Sequence, residues 1–196
     1  MFLLRYDTRC DEQMAFPANL HSAVRDAVAS VAIGESHPPN DAFVVNVAGE
    51  TLRIPYRLYY DPNLLRRELN NAQADARLIL LCLGTRHYDG YLRQECLQEL
   101  LKDETPWLTP YMVQLAGEYV VEIAEDVANT FVERDPASLQ LFASENPAYL
   151  ATLERRVTSY WSCYYRTAYP ERRCYPGARV MAVLRAAMGR RPRIGY

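Results

Sequence analysis

The spacing of apolar residues predicts a chain that begins with a short α/β region and continues as helices. Residues 2–6 indicate a short strand, and residues 18–33 place Leu20 and Val24 at helical spacing. A break follows over residues 35–41, where two prolines and an asparagine interrupt the pattern. The sequence therefore predicts one strand and one helix before the first clear β signal.

The clearest β signal is a hairpin. Residues 43–47 and 51–60 are rich in β-branched and aromatic residues, and a short loop joins them. In the second segment apolar and polar residues alternate, so that Arg53 and Arg57 lie on the face opposite the apolar one. Pro55 cannot donate a hydrogen bond to a neighbouring strand, which indicates an edge strand. The pattern predicts one buried face and one exposed, cationic face.

From residue 61 onward the pattern is helical. Several helix starts carry a short polar residue followed by proline, because the polar side chain can satisfy free amides and proline loses no hydrogen bond there. These pairs are Asp61-Pro62, Thr105-Pro106, Asp135-Pro136 and Asn146-Pro147. The sequence predicts helices over residues 62–72, 75–86, 90–102, 107–132, 136–143, 147–168 and 177–189.

The predicted helix 107–132 is amphipathic. An apolar stripe runs from Met112 to Phe131, and acidic residues cluster elsewhere on the surface. The acidic residues are Glu118, Glu122, Glu125 and Asp126. A solvated face explains this cluster most simply, and a face that steers a basic protein partner is the functional alternative. No metal site is predicted, because no histidine forms the Glu-x-x-His motif of di-iron bundles.

The predicted helix 147–168 carries a continuous apolar stripe along its length. The stripe includes Tyr160, Trp161 and Tyr164. We therefore expect these aromatic side chains to lie in the core.

Residues 77–102 run helix, short turn, helix, with Asp89 in the turn. Behind it come Leu92, Arg93, Cys96, Leu97 and Leu100. This pattern resembles the second half of a HEAT repeat, in which a turn aspartate precedes an apolar–Arg pair and spaced apolar residues. The resemblance covers about one repeat and implies a right-handed stack of helix pairs whose exposed surface binds another protein.

These patterns together predict a mainly α (α+β) fold, either a helical bundle or a short HEAT-like stack with an N-terminal β-hairpin. At 196 residues and 49% apolar content, the chain is long enough for one complete hydrophobic core. We expect a single domain over residues 1–196, with an α/β part at 1–60 and a helical part at 61–189.

Length and cysteine usage narrow the class of protein further. No apolar run approaches the roughly 20 residues of a membrane-spanning helix, and the N-terminus has no secretory apolar region. We therefore expect a cytoplasmic protein. The five cysteines are scattered and form no C-x-x-C pair, so we expect buried, reduced thiols and no zinc site.

Charge is divided along the chain. Residues 1–150 carry a net charge of −10, whereas residues 151–196 carry ten arginines against two glutamates, a net charge of +8. Candidate basic residues for a partner are Arg53, Arg57, Arg155, Arg166, Arg172 and Arg173. Interleaved basic and aromatic residues are typical of single-stranded nucleic-acid binding. Because the aromatic residues are expected in the core, nucleic-acid binding is the second hypothesis.

Residues 86–90, Arg-His-Tyr-Asp-Gly, form the most enzyme-like segment. His87 and Asp89 place a base and a carboxylate in one turn, and histidine can transfer protons near neutral pH. Asp-Gly is also ordinary turn chemistry, and Arg86 can bind carbonyls that end the preceding helix. No phosphate loop, nucleophile elbow or paired Cys-His arrangement is present, so we expect no cofactor. A hydrolase-like enzyme using His87 and Asp89 is the third hypothesis.

The leading hypothesis is a non-enzymatic protein-binding domain, an adaptor or inhibitor of a cognate partner. We expect the acidic face to bind a basic protein surface, with the basic residues named above as the rival surface. Small charge-polarised domains without an active-site motif resemble bacterial immunity proteins, which neutralise a toxin. The sequence predicts a surface and leaves the partner open.

Overall fold

The computed structural model describes residues 11–32, 41–134 and 136–189, and there the protein is mainly α-helical with a two-stranded antiparallel hairpin. The predicted fold class is confirmed, since 69% of the structure is helical. The predicted strand at residues 2–6 and most of the predicted break at 35–41 lie outside the described residues.

The helices follow the predicted order, with departures in the two longest segments. They are α1 (His21–Val31), α2 (Pro62–Asn71), α3 (Ala74–Gly84), α4 (Gly90–Leu100), α5 (Thr109–Leu115), α6 (Val121–Glu133), α7 (Pro136–Glu145), α8 (Pro147–Tyr160) and α9 (Pro176–Met188). The strands are β1 (Ala42–Val47) and β2 (Glu50–Pro55). Short 3-10 turns lie at Glu12–Ala15, Ala18–Leu20, Pro106–Leu108 and Arg172–Cys174.

The hairpin pairs β1 with β2 through a two-residue turn. Val47 lies opposite Glu50, and the turn residues Ala48 and Gly49 have positive φ angles of 51° and 83°, as this type of turn requires. β2 ends at Pro55, short of the predicted end, because Pro55 already lies opposite the first residue of β1. Both strands are edges of this sheet.

In β2 and the segment after it, buried and exposed positions mostly alternate as predicted, although Pro55 is also buried and Tyr56 is half-buried. The buried residues at the alternating positions are Leu52, Ile54, Leu58 and Tyr60. The amide of Leu58 donates to the Arg86 carbonyl (2.8 Å), and the Leu58 carbonyl accepts from the Tyr88 amide (3.0 Å). The segment after the hairpin is therefore tied to the turn between α3 and α4.

The junction of α7 and α8 holds the hairpin against the helices. Asn146 is buried; its amide group donates to the Asn46 carbonyl and accepts from the Asn46 amide, both at 2.7 Å. The Glu145 carboxylate accepts from the amides of Ala48 (3.1 Å) and Gly49 (3.2 Å). Asn146 was predicted to cap α8, but its side chain instead completes the hydrogen bonding of an edge strand.

The prediction of one continuous helix over residues 107–132 is wrong, because the structure has two helices there, α5 and α6. Residues 116–120 between them are irregular. A 3-10 turn at Pro106–Leu108 precedes α5, so the predicted start at residue 107 lies two residues before Thr109.

One hydrophobic cluster of buried residues extends from Ala15 to Ala187. Within it, α9 packs against α6, α7 and α8 and buries Val180 and Met181. A Cβ atom at Gly177 would lie 2.5 Å from the Ala116 carbonyl oxygen. The close approach of α9 to the segment between α5 and α6 therefore needs glycine at residue 177.

The apolar stripe of the predicted helix 147–168 was expected to be buried along its whole length, but only its first part is buried. Leu153 and Val157 are buried, but α8 ends at Tyr160 and a π-helical turn follows over Trp161–Tyr165. Tyr164 is 70% exposed. A π turn winds more widely than an α-helix, so residues at α-helical spacing no longer share one face.

The predicted helix pair at residues 77–102 is present as α3 and α4, which pack against each other. The helical architecture is consistent with the HEAT-like pattern over this pair. None of the helices in the described residues combines the length and apolar character that spanning a membrane requires.

Candidate functional site

Glu118 lies in the irregular segment between α5 and α6 and turns into the protein. Its side chain is 6% exposed, and its carboxylate accepts hydrogen bonds from Arg57 (2.8 and 3.0 Å) and Arg93 (3.3 Å). Sequence reasoning placed Glu118 on an exposed helical face with the other acidic residues. That placement is wrong, because two arginines from distant segments provide a better partner than solvent.

The two arginines are themselves held by the backbone. Arg93 on α4 donates to the carbonyls of His87 (2.9 Å) and Tyr88 (3.0 Å), and Arg57 donates to the Tyr56 carbonyl (2.9 Å). The predicted cationic face of the hairpin therefore loses Arg57 to this ion pair.

The charge of Glu118 is stabilised by its surroundings. Burial acts to raise the pKa of Glu118, but Arg57, Arg93 and Arg86 outweigh burial and hold that pKa below its ordinary value. Glu118 is thus ionised at neutral pH and fixes the backbone of the segment between α5 and α6.

The other three predicted acidic residues lie on α6 and differ in exposure. Glu122 is exposed. Glu125 accepts a hydrogen bond from the Tyr169 hydroxyl (2.7 Å), and Asp126 accepts from the Gln94 and Gln98 amides (2.9 and 3.0 Å). The predicted acidic face is therefore reduced to Glu122, with Glu125 and Asp126 partly engaged inside the protein.

A surface groove of about 470 Å³ lies between the start of α4 and the start of α6. It is lined by Gly90, Tyr91, Gln94, Tyr119, Val120 and Glu122, and we call it the Tyr91–Tyr119 groove. Tyr91 is 81% exposed and Tyr119 is 57% exposed. Sequence reasoning singled out Glu122 but neither tyrosine, because Tyr119 falls in the apolar stripe predicted from Met112 to Phe131 and Tyr91 belongs to no motif.

The two hydrogen-bonding ring atoms of His87 are used in backbone contacts. His87 is fully buried, with Nε2 2.8 Å from the Tyr60 carbonyl and Nδ1 accepting from the Asp89 amide (3.0 Å). The Asp89 carboxylate caps α4 through the amides of Tyr91 and Leu92. Both side chains thus make hydrogen bonds to the backbone, at Tyr60, in the turn and at the start of α4.

The sequence indicated that Arg86 could bind the last carbonyls of α3, but its guanidinium makes no such hydrogen bond. Its side chain is fully buried, and its three guanidinium nitrogens have no hydrogen-bond partner among the described residues. Sequence reasoning did not predict the burial of Arg86, because a buried arginine cannot be distinguished by pattern from an exposed one.

The structure divides the predicted basic residues among different environments. Arg172 donates to Glu154 (3.0 Å) and Thr158 (2.8 Å), and Arg173 donates to Glu171 (2.6 Å). Arg53, Arg155 and Arg166 are exposed, and the Arg166 guanidinium lies 5.4 Å from the centre of the Trp161 ring. Arg172 and Arg173 therefore pair with acidic residues of their own region, whereas Arg155 and Arg166 remain exposed.

The cysteines are divided as well. Cys82 and Cys96 are buried, and burial raises the pKa of Cys96 to about 12, which keeps its thiol protonated. Cys163 and Cys174 are exposed, contrary to the expectation of buried thiols, and Cys10 lies outside the described residues. No group of three or more potential metal ligands converges in the described parts of the chain.

Comparison with known proteins adds no relative. No protein-family model matches the chain, and neither the curated proteins nor the solved structures give a significant match. The function therefore has to be inferred from the geometry of the surface.

Proposed function

We propose that this protein is a non-enzymatic protein-binding domain, an adaptor or inhibitor, that docks a basic segment of its partner in the Tyr91–Tyr119 groove. The observation that supports this proposal is a pair of exposed tyrosines on opposite sides of an acidic groove.

The two tyrosines suit a protein interface. Tyrosine supplies a large contact area and a polar hydroxyl while losing little conformational entropy on binding, and it is enriched among residues that dominate binding energy. Tyr91 is 81% exposed and Tyr119 is 57% exposed, so both offer surface that a partner would bury. Their exposure favours binding of another macromolecule over a packing role.

The charge around the groove favours a basic partner. Glu122 lines it, and Gln94 holds the Asp126 carboxylate behind it (2.9 Å). No basic residue is among the described residues that line the groove. The nearby Arg93 is directed at the Glu118 carboxylate and does not line the groove.

The groove is also held in shape. The ion pairs of Glu118 fix the residue directly before Tyr119, and Asp89 caps the helix that carries Tyr91. A partner that binds here orders few side chains or loops, which lowers the entropic cost of association. Within this proposal, an inhibitor similar to a bacterial immunity protein is one specific form of the function.

Co-purification tests this proposal. Tagged wild-type protein and the Glu122→Lys variant are isolated from the cells of origin after nuclease treatment, and bound proteins are quantified by mass spectrometry. We expect at least about tenfold less of a basic partner on Glu122→Lys, because the substitution places like charges together.

The matched control is Glu133→Lys, which makes the same change at an exposed position on the same helix, outside the groove. A second variant, Tyr91→Ser, removes contact area without changing charge. If both groove variants retain the partners of the wild-type protein in equal amounts, the proposal is wrong.

Nucleic-acid binding is a second candidate, favoured by the exposure of Tyr164 beside basic residues. Labelled RNA and DNA are titrated at two salt concentrations with wild-type protein and with the Arg166→Ala, Arg173→Ala double variant. Salt-sensitive binding that the double variant loses would support this candidate. If the double variant keeps the salt-sensitive binding, Arg166 and Arg173 are not the nucleic-acid-binding residues.

A further inference from the structure

The Tyr91–Tyr119 groove offers two different hydrogen-bond acceptors. One is the Glu122 carboxylate, which is exposed and makes no ion pair or hydrogen bond with the described residues. The other is Gln94 Oε1. Gln94 Nε2 donates to Asp126 (2.9 Å), and because a carboxylate only accepts, this bond directs Nε2, and not Oε1, at Asp126. Within the described parts of the chain Oε1 accepts no hydrogen bond, so both acceptors can bind a donor on a ligand.

Two tyrosine rings line the groove together with these acceptors. Tyr91 lies in the first turn of α4 and Tyr119 lies directly before the start of α6. Neither ring stacks on another aromatic ring of the described residues, and both are more than half exposed. The face of an aromatic ring attracts cations, and a planar guanidinium group also stacks on it. The groove therefore combines aromatic surface with acceptors for a cationic group.

The Tyr119 side of the groove is held by the C-terminal aromatic segment. The Tyr165 hydroxyl, in the π turn, donates to the Tyr119 carbonyl. The Tyr165 ring stacks on the buried Tyr175 ring, with 5.6 Å between ring centres and an angle of 24° between the planes. The Tyr169 hydroxyl donates to Glu125 on α6 (2.7 Å). The backbone that carries the Tyr119 ring is thus fixed in advance, which lowers the entropic cost of binding a ligand.

These groups suit a guanidinium group better than an ammonium group. Guanidinium presents five N–H donors in fixed directions, so it can donate to a carboxylate and to a second acceptor while its face stacks on a ring. The ammonium group of lysine is a compact, strongly hydrated charge without a flat face. The volume of about 470 Å³ lies within the roughly 300–1,000 Å³ of ligand sites and is sufficient for one long side chain.

We propose that the Tyr91–Tyr119 groove is an arginine-binding site. In it, Glu122 and Gln94 Oε1 accept hydrogen bonds from a guanidinium group of the partner, which also packs on the two tyrosine rings. This inference rests on the proposed function, because it names the residue of the basic segment that the groove selects. Negative charge alone accepts lysine and arginine alike, whereas the second acceptor and the rings favour arginine.

Nuclear magnetic resonance titration of the isotope-labelled full chain tests this site. The probes are acetyl-glycyl-arginyl-glycine amide, the same peptide with lysine, and the same peptide with citrulline, which keeps the shape of arginine without its charge. We expect saturable shifts of the Gln94 side-chain amide and of the Tyr91 and Glu122 backbone amides. The dissociation constant should be at least about fivefold lower for the arginine peptide than for the lysine peptide, and the citrulline peptide should not saturate.

Two variants separate arginine recognition from simple charge attraction. Gln94→Leu removes the second acceptor and Tyr91→Leu removes a ring, while both leave the charge of Glu122 in place. We expect each to weaken the arginine peptide to the level of the lysine peptide, which itself should bind almost unchanged. The matched control is Gln98→Leu, because Gln98 donates to the same Asp126 oxygen (3.0 Å) and does not line the groove. Gln98→Leu should keep the preference for arginine.

Thermal unfolding verifies that the variants are folded, and Tyr91→Leu decides the test if Gln94→Leu is not, since Tyr91 is exposed. The arginine site is overturned if the wild-type protein binds the arginine and lysine peptides equally or binds neither. It is also overturned if the folded groove variants keep the preference as Gln98→Leu does. The proposed function is judged separately by the Glu122→Lys co-purification, which does not depend on which basic residue the partner supplies.

Discussion

At the scale of single residues, Glu118 has the largest structural role of the predicted site residues. Its carboxylate joins Arg57 after the hairpin to Arg93 on α4, and it fixes the irregular segment between α5 and α6. Breaking a buried ion pair by removing one partner is strongly destabilising, because the remaining charge is left uncompensated.

Glu118→Gln keeps the size of the side chain and removes its charge. We expect the free energy of unfolding to fall by about 3 kcal/mol, at the low end for a buried pair because Arg57 is one-third exposed. Chemical denaturation measures this change.

The control is Glu95→Gln, which removes an exposed ion pair with Arg66 (2.9 Å). Exposed pairs contribute about 1 kcal/mol or less, so this loss should be small. Equal losses for the two variants would show that Glu118 is not the structural centre described here.

His87 makes the stability of the protein depend on pH. Burial lowers the pKa of His87 in the folded protein, against the opposing effect of the hydrogen bond to the Tyr60 carbonyl. On acidification the unfolded chain therefore takes up a proton first, near pH 6.5, and stability falls until the lower folded pKa is reached. The depressed pKa of Glu118 acts in the same direction at lower pH, below about 4.5.

We expect His87→Gln to be less sensitive than the wild type to a change from about pH 7.5 to about pH 5.5. Unfolding free energies at several pH values measure the difference in slope. The other two histidines, His21 and His37, remain in both proteins as an internal control. Parallel pH profiles for the two proteins would contradict this role of His87.

Residue roles that depend on near neighbours were predictable, and roles that depend on distant ones were not. The Asp89 cap follows from its place before Gly90 and a helical pattern. The burial of Glu118 depends on Arg57, which is 61 residues away in the chain. The spacing of residues near Glu118 predicted an exposed face, because local spacing contains no information about a partner as distant as Arg57.

At the scale of elements, prolines marked helix starts well. α2 begins at Pro62 and α8 at Pro147, as the sequence predicts. The break between α5 and α6 was missed, because apolar residues on both sides fit one helical stripe. The π turn after α8 was missed for a similar reason, since periodicity assumes constant winding.

Gly177 tests how the break between α5 and α6 is packed. In Gly177→Ala the new Cβ atom would lie 2.5 Å from the Ala116 carbonyl oxygen and 3.0 Å from Val157 Cγ1. We expect a loss of about 1–3 kcal/mol in the free energy of unfolding, because overpacking forces α9 away from this segment.

Gly189→Ala is the matched control near the other end of α9. Its added Cβ atom would meet nothing closer than 3.8 Å, so its effect should stay within about 0.5 kcal/mol. Unfolding of both variants in denaturant checks the comparison. A Gly177→Ala protein as stable as this control would contradict the close packing of α9 on the break.

At the scale of the whole molecule, some of the charges that are divided along the sequence pair with each other in the fold. Arg172 and Arg185 both pair with Glu154, within 3.0 Å and 2.6 Å, so part of the basic C-terminal region neutralises itself. The Tyr169 hydroxyl contacts Glu125 on α6. Net charge over a long stretch therefore does not report which charges pair within the fold.

The proposed binding surface instead rests on the exposed tyrosines and Glu122, which combine contact area and negative charge in one groove. Neither tyrosine was predicted as a site residue, since side-chain exposure follows from the folded surface and not from residue type. The central claim is that this groove binds a protein.

Photo-crosslinking in the cells of origin tests that claim most directly. A photoreactive phenylalanine derivative replaces Tyr91 in the groove, and in a matched protein it replaces Tyr164, which is 70% exposed elsewhere. The account predicts a covalent protein adduct from position 91 that Glu122→Lys abolishes and that position 164 does not form. An adduct that forms from position 164 alone, or that persists from position 91 despite Glu122→Lys, would contradict it.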